Sequence, residues 1–128
     1  VLTLPATGSE SNKGAVISRK TTGDKQAFMN EHVQPVFAIL DPVYTYTLPP
    51  RQVANGVVDS FIHVVEQYLT YPVNAKVQDY FAEGLMKTIV EEGRKVLQNP
   101  NDYDIRANLM WAATNALNCW IGQGVPQD

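Results

Sequence analysis

The spacing of apolar residues changes near Leu48, and this change divides the chain into two parts. Before Leu48, short apolar runs are separated by polar turns, which is typical of β-strands. After it, apolar residues recur every three or four positions, which places them on one face of an α-helix. The pattern predicts an α/β part over residues 1–48 followed by an all-α part over residues 49–128.

The α/β part predicts a β-hairpin and one further strand. Three runs have strand character: residues 15–19, 25–29 and 36–40. Gly23 lies in the turn between the first two and can adopt a positive φ. The third run ends at Asp41-Pro42, a turn signal. Three strands alone are marginally stable, so we expect this sheet to belong to a larger one.

The all-α part predicts four helical segments. They cover residues 49–55, 56–70, 75–97 and 105–121. Pro49-Pro50 begins the first segment, because proline costs little in a first turn. We expect Asn55-Gly56 to interrupt the helix and Tyr71-Pro72 to end the second segment. Asn74, and then Asn101 or Asp102, are the expected N-caps of the last two.

An apolar face is predicted on the third segment, so that this helix packs on one side. It consists of Val77, Tyr80, Phe81, Leu85, Met86, Ile89 and Val90. The second segment is apolar nearly all round, which predicts that it is buried.

Composition and charge exclude several classes of protein. The 128 residues are 45% hydrophobic and 18% charged, with a net charge of −3, so neither nucleic acid nor an anionic membrane is an expected partner. No apolar run is long enough to cross a bilayer, and the start does not resemble a signal peptide. The single cysteine, Cys119, is expected to be a small buried hydrophobe, and a lone thiol fits a cytoplasmic protein. A start at Val1 and an end in GQGVPQD indicate an internal fragment of a larger protein.

One polar stripe interrupts the second helical segment. Asp59, His63 and Glu66 are spaced i, i+4 and i+7, so they share one helix face. Asp59 and His63 could form a hydrogen bond or ion pair in the core, or they could bind one Fe²⁺ or Zn²⁺ ion from the same side. Two ligands are too few for such an ion, and His32 is the only other histidine. Spacing alone favours the hydrogen-bonded pair, and Glu66 is expected to be its partner or an exposed neighbour.

Residues 5–12 (PATGSESN) form a second candidate site. Gly8 permits a tight turn, and hydroxyl groups at Thr7, Ser9 and Ser11 flank it. Such a segment caps a helix or holds a phosphate or ribose, although on its own it is typical of a plain turn. Neither a P-loop nor a GxGxxG motif is present.

Several motifs together, in this order, resemble the iron-containing (group III) alcohol dehydrogenase family. They are TGSE at 7–10, LDP at 40–42, LPP at 48–50 and the helix GVVDSFIHVVE at 56–66. The chain is similar to the branch of NADPH-dependent aldehyde reductases and butanol dehydrogenases. The resemblance implies that residues 1–48 end a Rossmann-like dinucleotide-binding domain and that residues 49–128 begin an all-helical metal-binding domain. It also implies a homodimer.

The resemblance further implies a site in the cleft between the two domains. Asp59 and His63 would be two of the four metal ligands, with the other two beyond Asp128. The implied cofactor contacts are Thr3, Thr7, Asn12, Gly14, Lys25 and Tyr44. Lys25, in the sequence KQAF, would reach the cofactor ribose.

The implied function is the metal-dependent interconversion of aldehydes and alcohols with NADP(H), or alternatively NAD(H), and Fe²⁺ or Zn²⁺. The metal would act as a Lewis acid on the carbonyl oxygen while the nicotinamide delivers hydride. Such an enzyme needs the remaining ligands and the pyrophosphate loop, so we expect this piece alone to be inactive. The alternatives are a non-enzymatic helical interaction domain with a buried Asp59–His63 network, and a sister enzyme of the glycerol dehydrogenase or dehydroquinate synthase type.

Overall fold

The computed structural model describes residues 1–70 and 73–122, as a two-stranded sheet and three long helices. The elements in order are β1 (Gly14–Arg19), β2 (Asp24–Met29), short 3₁₀ helices at Glu31–Val33 and Pro42–Thr45, α1 (Pro50–Thr70), α2 (Lys76–Val96) and α3 (Tyr103–Ala116). The predicted helix end at Tyr71-Pro72 and residues 123–128 of the terminal turn-like sequence lie outside the described residues.

The predicted β-hairpin is confirmed. β1 and β2 pair antiparallel, with Ser18 opposite Lys25. Gly23 has φ +76°, the left-handed conformation that the turn requires, and its N–H donates to the Arg19 carbonyl at 2.9 Å. Most of both strands is exposed. The hairpin is therefore a ribbon that projects from the helices.

The strand predicted at residues 36–40 is wrong, because this run forms no strand. One backbone hydrogen bond reaches it, from Leu2 N–H to the Ile39 carbonyl at 3.1 Å. Val36 is 99% exposed. Apolar character favours a strand only where a neighbouring strand supplies a ladder of hydrogen bonds, and in the described part of the chain β1 and β2 pair with each other.

α1 runs unbroken from Pro50 to Thr70, so the predicted interruption at Asn55-Gly56 is wrong. Gly56 instead allows another segment of the chain to lie close to the helix backbone. A Cβ added to Gly56 would lie 2.5 Å from the carbonyl oxygen of Pro5, whose segment crosses the helix at this point. The next turn of α1 also contacts this segment, since the Ser60 hydroxyl lies 3.3 Å from the Ala6 carbonyl.

One of the two predicted helix N-caps is observed and the other is not. Asp102, one of the two predicted candidates, caps α3, because its side chain accepts a hydrogen bond from the Ile105 N–H at 3.1 Å. Asn74 is not the cap of α2: it has φ +56°, and Ala75 takes the N-cap position without a side-chain hydrogen bond. α3 ends at Ala116, five residues before the predicted Ile121.

The core lies where the three helices meet. Its central buried cluster is formed by Val64, Ala82, Ile89, Ala112, Ala116 and Ile121. α1 and α2 come close together at Gly93, where an added Cβ would lie 2.5 Å from the Val57 Cγ1 atom. Partly buried Leu85 and Met86 pack against this cluster.

Several side chains expected to be buried are exposed. Four of the residues predicted for the apolar face of α2 are among them, namely Val77, Tyr80, Phe81 and Val90. α1 is not buried all round either, because Val58, Ile62 and Leu69 are exposed. Cys119 is also exposed, so its predicted role as a core hydrophobe is wrong. Within residues 1–70 and 73–122, none of the helices has the length and apolar character to cross a membrane.

Candidate metal and cofactor site

Asp59 and His63 lie side by side on α1, as their spacing predicts. Nε2 of His63 is 3.4 Å from Oδ2 of Asp59. The His63 side chain is 15% exposed and that of Asp59 is 44% exposed, but Asp59 Oδ2 itself is buried and accepts no hydrogen bond from any described residue. A buried carboxylate oxygen without a donor is costly, which indicates that this atom has a partner not supplied by the described residues.

The pair fits a divalent cation. A charge-assisted N–H···O hydrogen bond would measure about 2.7–2.9 Å, shorter than the separation of these two atoms. Two ligand atoms on a tetrahedral ion, each about 2.0–2.2 Å from it, lie roughly 3.4 Å apart. No described group of three or more potential ligands exists, so the pair provides two donors. Glu66 is exposed, as expected of the outer end of the stripe, and His32 lies on the exposed 3₁₀ helix Glu31–Val33.

His63 faces a cleft of about 610 Å³ between the hairpin and the helices. One wall is the loop Thr7–Asn12, another is formed by β1 and β2, and Leu117 contributes at the end of α3. Volumes of about 300–1,000 Å³ are typical of sites for small organic ligands. The cleft therefore combines hydroxyl groups, an apolar hairpin face and an imidazole.

The loop is shaped by a glycine and an asparagine. Gly8 has φ +61°, and an added Cβ would lie 3.2 Å from Cβ of Leu117, so the loop lies directly against the end of α3. Asn12 donates through Nδ2 to the carbonyls of Thr7 (3.2 Å) and Leu117 (3.1 Å) and accepts from the Gly14 N–H (3.0 Å). Both N–H groups of Asn12 are thus used to hold the loop.

A family model matches more than half of the chain. The model of the Fe-containing alcohol dehydrogenase family, C-terminal, matches residues 53–123, a range that includes Asp59 and His63. The chain belongs to the Fe-containing alcohol dehydrogenase family. The predicted resemblance is confirmed.

Individual members of the family are similar along the whole chain. It is 76% identical over 128 residues to the NADPH-dependent aldehyde reductase YqhD of Escherichia coli (strain K12), covering 100% of this chain and 33% of that protein. It is 47% identical over 126 residues to the NADP-dependent alcohol dehydrogenase 3 of Entamoeba histolytica, covering 98% and 33%. The crystal structure of E. coli K-12 YqhD superimposes with a TM-score of 0.92 at 75% identity, covering 98% and 32%. The chain thus spans about a third of the length of the curated relatives it matches.

Four of the residues that the family resemblance singled out lie together. Thr7, Asn12, Gly14 and His63 all line the cleft, although they come from a loop, a strand and a helix. The Thr7 hydroxyl is 2.7 Å from that of Ser9, which also lines the cleft. The sequence had placed Ser9 among the hydroxyl residues around Gly8, without naming it as a cofactor contact.

The other predicted cofactor residues lie apart from this cleft. Thr3 lines a neighbouring cavity of about 510 Å³, to which Thr7 also contributes. Lys25 is exposed on β2, and Tyr44 is exposed on the 3₁₀ helix Pro42–Thr45. Neither residue lines the 610 Å³ cleft, and their roles stay predictions.

Five buried polar side chains among the described residues were not anticipated from the sequence: Thr45, Ser60, Gln67, Arg106 and Thr114. Gln67 follows Ser60 by seven residues, so the helical period that identifies the buried face of α1 could have found it. Arg106 is 4% exposed and donates through Nε to the Pro100 carbonyl at 2.8 Å. Burial lowers the pKa of the Arg106 guanidinium from its usual value.

Proposed function

We propose that this chain provides part of the active site of an NADP(H)-dependent oxidoreductase that interconverts aldehydes and alcohols. The observation that carries the proposal is the buried Oδ2 atom of Asp59, which accepts no hydrogen bond from the described residues and lies 3.4 Å from Nε2 of His63, beside a cleft that His63 lines. The relatives point to the same chemistry, because one is an NADPH-dependent aldehyde reductase and another an NADP-dependent alcohol dehydrogenase. We therefore propose NADP(H) rather than NAD(H) as the cofactor.

The Asp59–His63 pair would hold Fe²⁺ or Zn²⁺, and the family description favours iron. When bound, the cation and the nicotinamide supply Lewis-acid polarisation of the substrate carbonyl and the hydride, respectively. His63 must present an unprotonated Nε2 to serve as a ligand. Asp59 contributes a negative charge that offsets part of the charge of the cation. Because Asp59 and His63 project from consecutive turns of one helix, α1 fixes the direction from which both side chains would bind the cation.

The cleft walls would hold the cofactor. The neighbouring hydroxyls of Thr7 and Ser9 offer donors and acceptors to a phosphate or ribose. Val16 and Phe28 of the hairpin give the cleft an apolar wall. Thr3, Lys25 and Tyr44 would contact parts of the cofactor that extend outside this cleft.

We propose that the chain acts within a protein of about the relatives' length. Residues 1–48 would belong to its dinucleotide-binding domain and residues 49–128 to its helical metal-binding domain. The remaining metal ligands would come from helices of that longer protein. A homodimer in the cytoplasm is part of the same proposal.

Metal analysis of the full-length protein tests the function. We expect Asp59→Asn and His63→Gln each to remove most of the bound iron or zinc and to abolish aldehyde-dependent oxidation of NADPH. Glu66→Gln is the matched control, because Glu66 is exposed on the same stripe and should leave metal content unchanged. Full metal content in both ligand variants would contradict the proposal and favour a purely structural Asp59–His63 network.

A further inference from the structure

The carboxyl end of α3 contacts both the loop Thr7–Asn12 and α1. The last carbonyl groups of any α-helix lack partners within the helix and must find them elsewhere. The Ala116 carbonyl accepts a hydrogen bond from Gln67 Nε2 at 2.7 Å, and the Leu117 carbonyl accepts one from Asn12 Nδ2 at 3.1 Å. The loop and α1 thus each supply a hydrogen-bond donor to a carbonyl group at the end of α3.

The loop is held to α3 by a second, side-chain contact. The Thr114 hydroxyl lies 2.6 Å from Oε1 of Glu10 and 3.0 Å from the Met110 carbonyl, so its single proton is best placed for the carboxylate. Glu10 lines the neighbouring 510 Å³ cavity and not the 610 Å³ cleft. Its carboxylate is directed to α3 rather than to the anionic cofactor that the cleft would hold. The loop is therefore fixed to α3 both at Glu10 and at Asn12.

α1 is held to the same helix end by Gln67, which is 2% exposed. The Nε2 group of Gln67 donates to the Ala116 carbonyl and, at 2.6 Å, to the carbonyl of His63. The same amide thus connects the backbone of the imidazole residue to α3. Because Ala116 is fully buried, solvent does not compete for these bonds.

We infer that the end of α3, Thr114–Leu117, sets the separation between the loop Thr7–Asn12 and His63, with Glu10 and Gln67 as positioning residues. The inference rests on the proposed function. It follows from geometry: the loop Thr7–Asn12 and α1, which carries His63, are each bonded to this segment, and neither positioning residue lines the cleft. Hydride transfer is sensitive to such placement, since a displacement of about 1 Å costs roughly 100-fold in rate.

The Glu10–Thr114 contact can be tested with conservative pairs in the full-length protein. We expect Thr114→Val and Glu10→Met to lower kcat for aldehyde reduction about tenfold and to raise KM for NADPH, while bound metal stays at the unmodified level. Thr114→Ser and Glu10→Gln keep a donor and an acceptor, and should stay within about twofold. The double variant Glu10→Met/Thr114→Val should be no worse than either single variant, because both changes break one contact.

The matched control is Thr88→Val. The Thr88 hydroxyl donates to the Gly84 carbonyl at 2.9 Å within α2 and is exposed, so this change removes the same kind of bond without touching the loop. Its kinetics should be unchanged. If Thr114→Val does not fold, Glu10→Met tests the contact from the partly exposed side.

Gln67→Met tests the α1 contact, because methionine is of similar length but donates no hydrogen bond. We expect faster loss of metal to a chelator, about tenfold, and a lower kcat. Unchanged kcat, KM and metal release in the Thr114, Glu10 and Gln67 variants would overturn the inference, even where Asp59→Asn abolishes turnover and the proposed function stands. Absence of NADPH turnover in the unmodified full-length protein would overturn both.

Discussion

The carbonyl oxygen of Pro5 occupies the space that a side chain at Gly56 would need, since an added Cβ would lie 2.5 Å from it. Gly56 is buried in α1, three residues before Asp59. The contact therefore fixes the segment that leads into the loop Thr7–Asn12 against the helix that carries Asp59 and His63.

Gly56→Ala should destabilise the protein by about 1–3 kcal/mol, because overpacking against backbone outweighs the roughly 1 kcal/mol that alanine gains in helix propensity. Equilibrium unfolding in denaturant measures the change. Gly84→Ala is the control: Gly84 lies in α2, and no atom of the described residues lies within 4 Å of an added Cβ, so we expect stabilisation of about 0.5–1 kcal/mol. Stabilisation by both variants would show that Pro5 does not approach Gly56.

Asp102→Ala should cost about 1 kcal/mol of unfolding free energy. The carboxylate accepts the Ile105 N–H at 3.1 Å, and alanine would leave that donor of the first turn of α3 without its cap. Asn101→Ala, one residue earlier in the exposed turn, should change stability by less than about 0.5 kcal/mol. Equal effects of the two substitutions would argue against the cap.

Tyr68 should ionise at higher pH than an ordinary tyrosine. Its hydroxyl donates to Glu83 Oε1 at 2.9 Å, and this bond to α2, followed by the charge of Glu83, raises the pKa of Tyr68. A raised pKa in the folded state means that the stabilisation is present below the pKa of unfolded tyrosine and is lost as pH rises through the folded value. Ultraviolet difference titration against Tyr68→Phe measures it, and Glu83→Gln should move the transition to lower pH. An unmoved transition in Glu83→Gln would contradict this cause.

Removal of metal from the full-length protein with a chelator should abolish NADPH-dependent aldehyde reduction, and added Fe²⁺ or Zn²⁺ should restore it. The expectation follows from the Asp59 Oδ2 atom, which is buried, is 3.4 Å from His63 Nε2 and has no hydrogen-bond donor within residues 1–70 and 73–122. Far-ultraviolet circular dichroism should show that the helices persist without metal. Full activity in a demonstrably metal-free sample would remove the metal from the mechanism.

Local signals in the sequence predicted the local structure well. Gly23 identified the turn of the hairpin because its positive φ is required by neighbours only a few residues away. Asp102 identified the N-cap of α3, because its hydrogen bond also joins residues that are close in sequence. The i, i+4 spacing brought Asp59 and His63 together, since the helix alone determines that contact.

Contacts between distant segments explain where prediction failed. Gly56 was interpreted as a helix break, but the reason for the glycine is Pro5, which is 51 positions earlier in the chain. Gln67 was not singled out in the sequence, because its hydrogen bond goes to Ala116, a residue 49 positions later in the chain. The run at residues 36–40 has strand composition, yet strand formation depends on a neighbour that composition does not specify.

The near contact between Gly93 and Val57 has an evolutionary consequence. A Cβ at Gly93 would lie 2.5 Å from Val57 Cγ1, and Val57 precedes Asp59 by two residues. The lack of a side chain at position 93 thereby determines the distance between α1 and α2. This distance in turn determines the position of Asp59 and His63 relative to the hairpin. Homologues with a larger residue at position 93 should therefore carry a smaller one at position 57, so that the two sites covary.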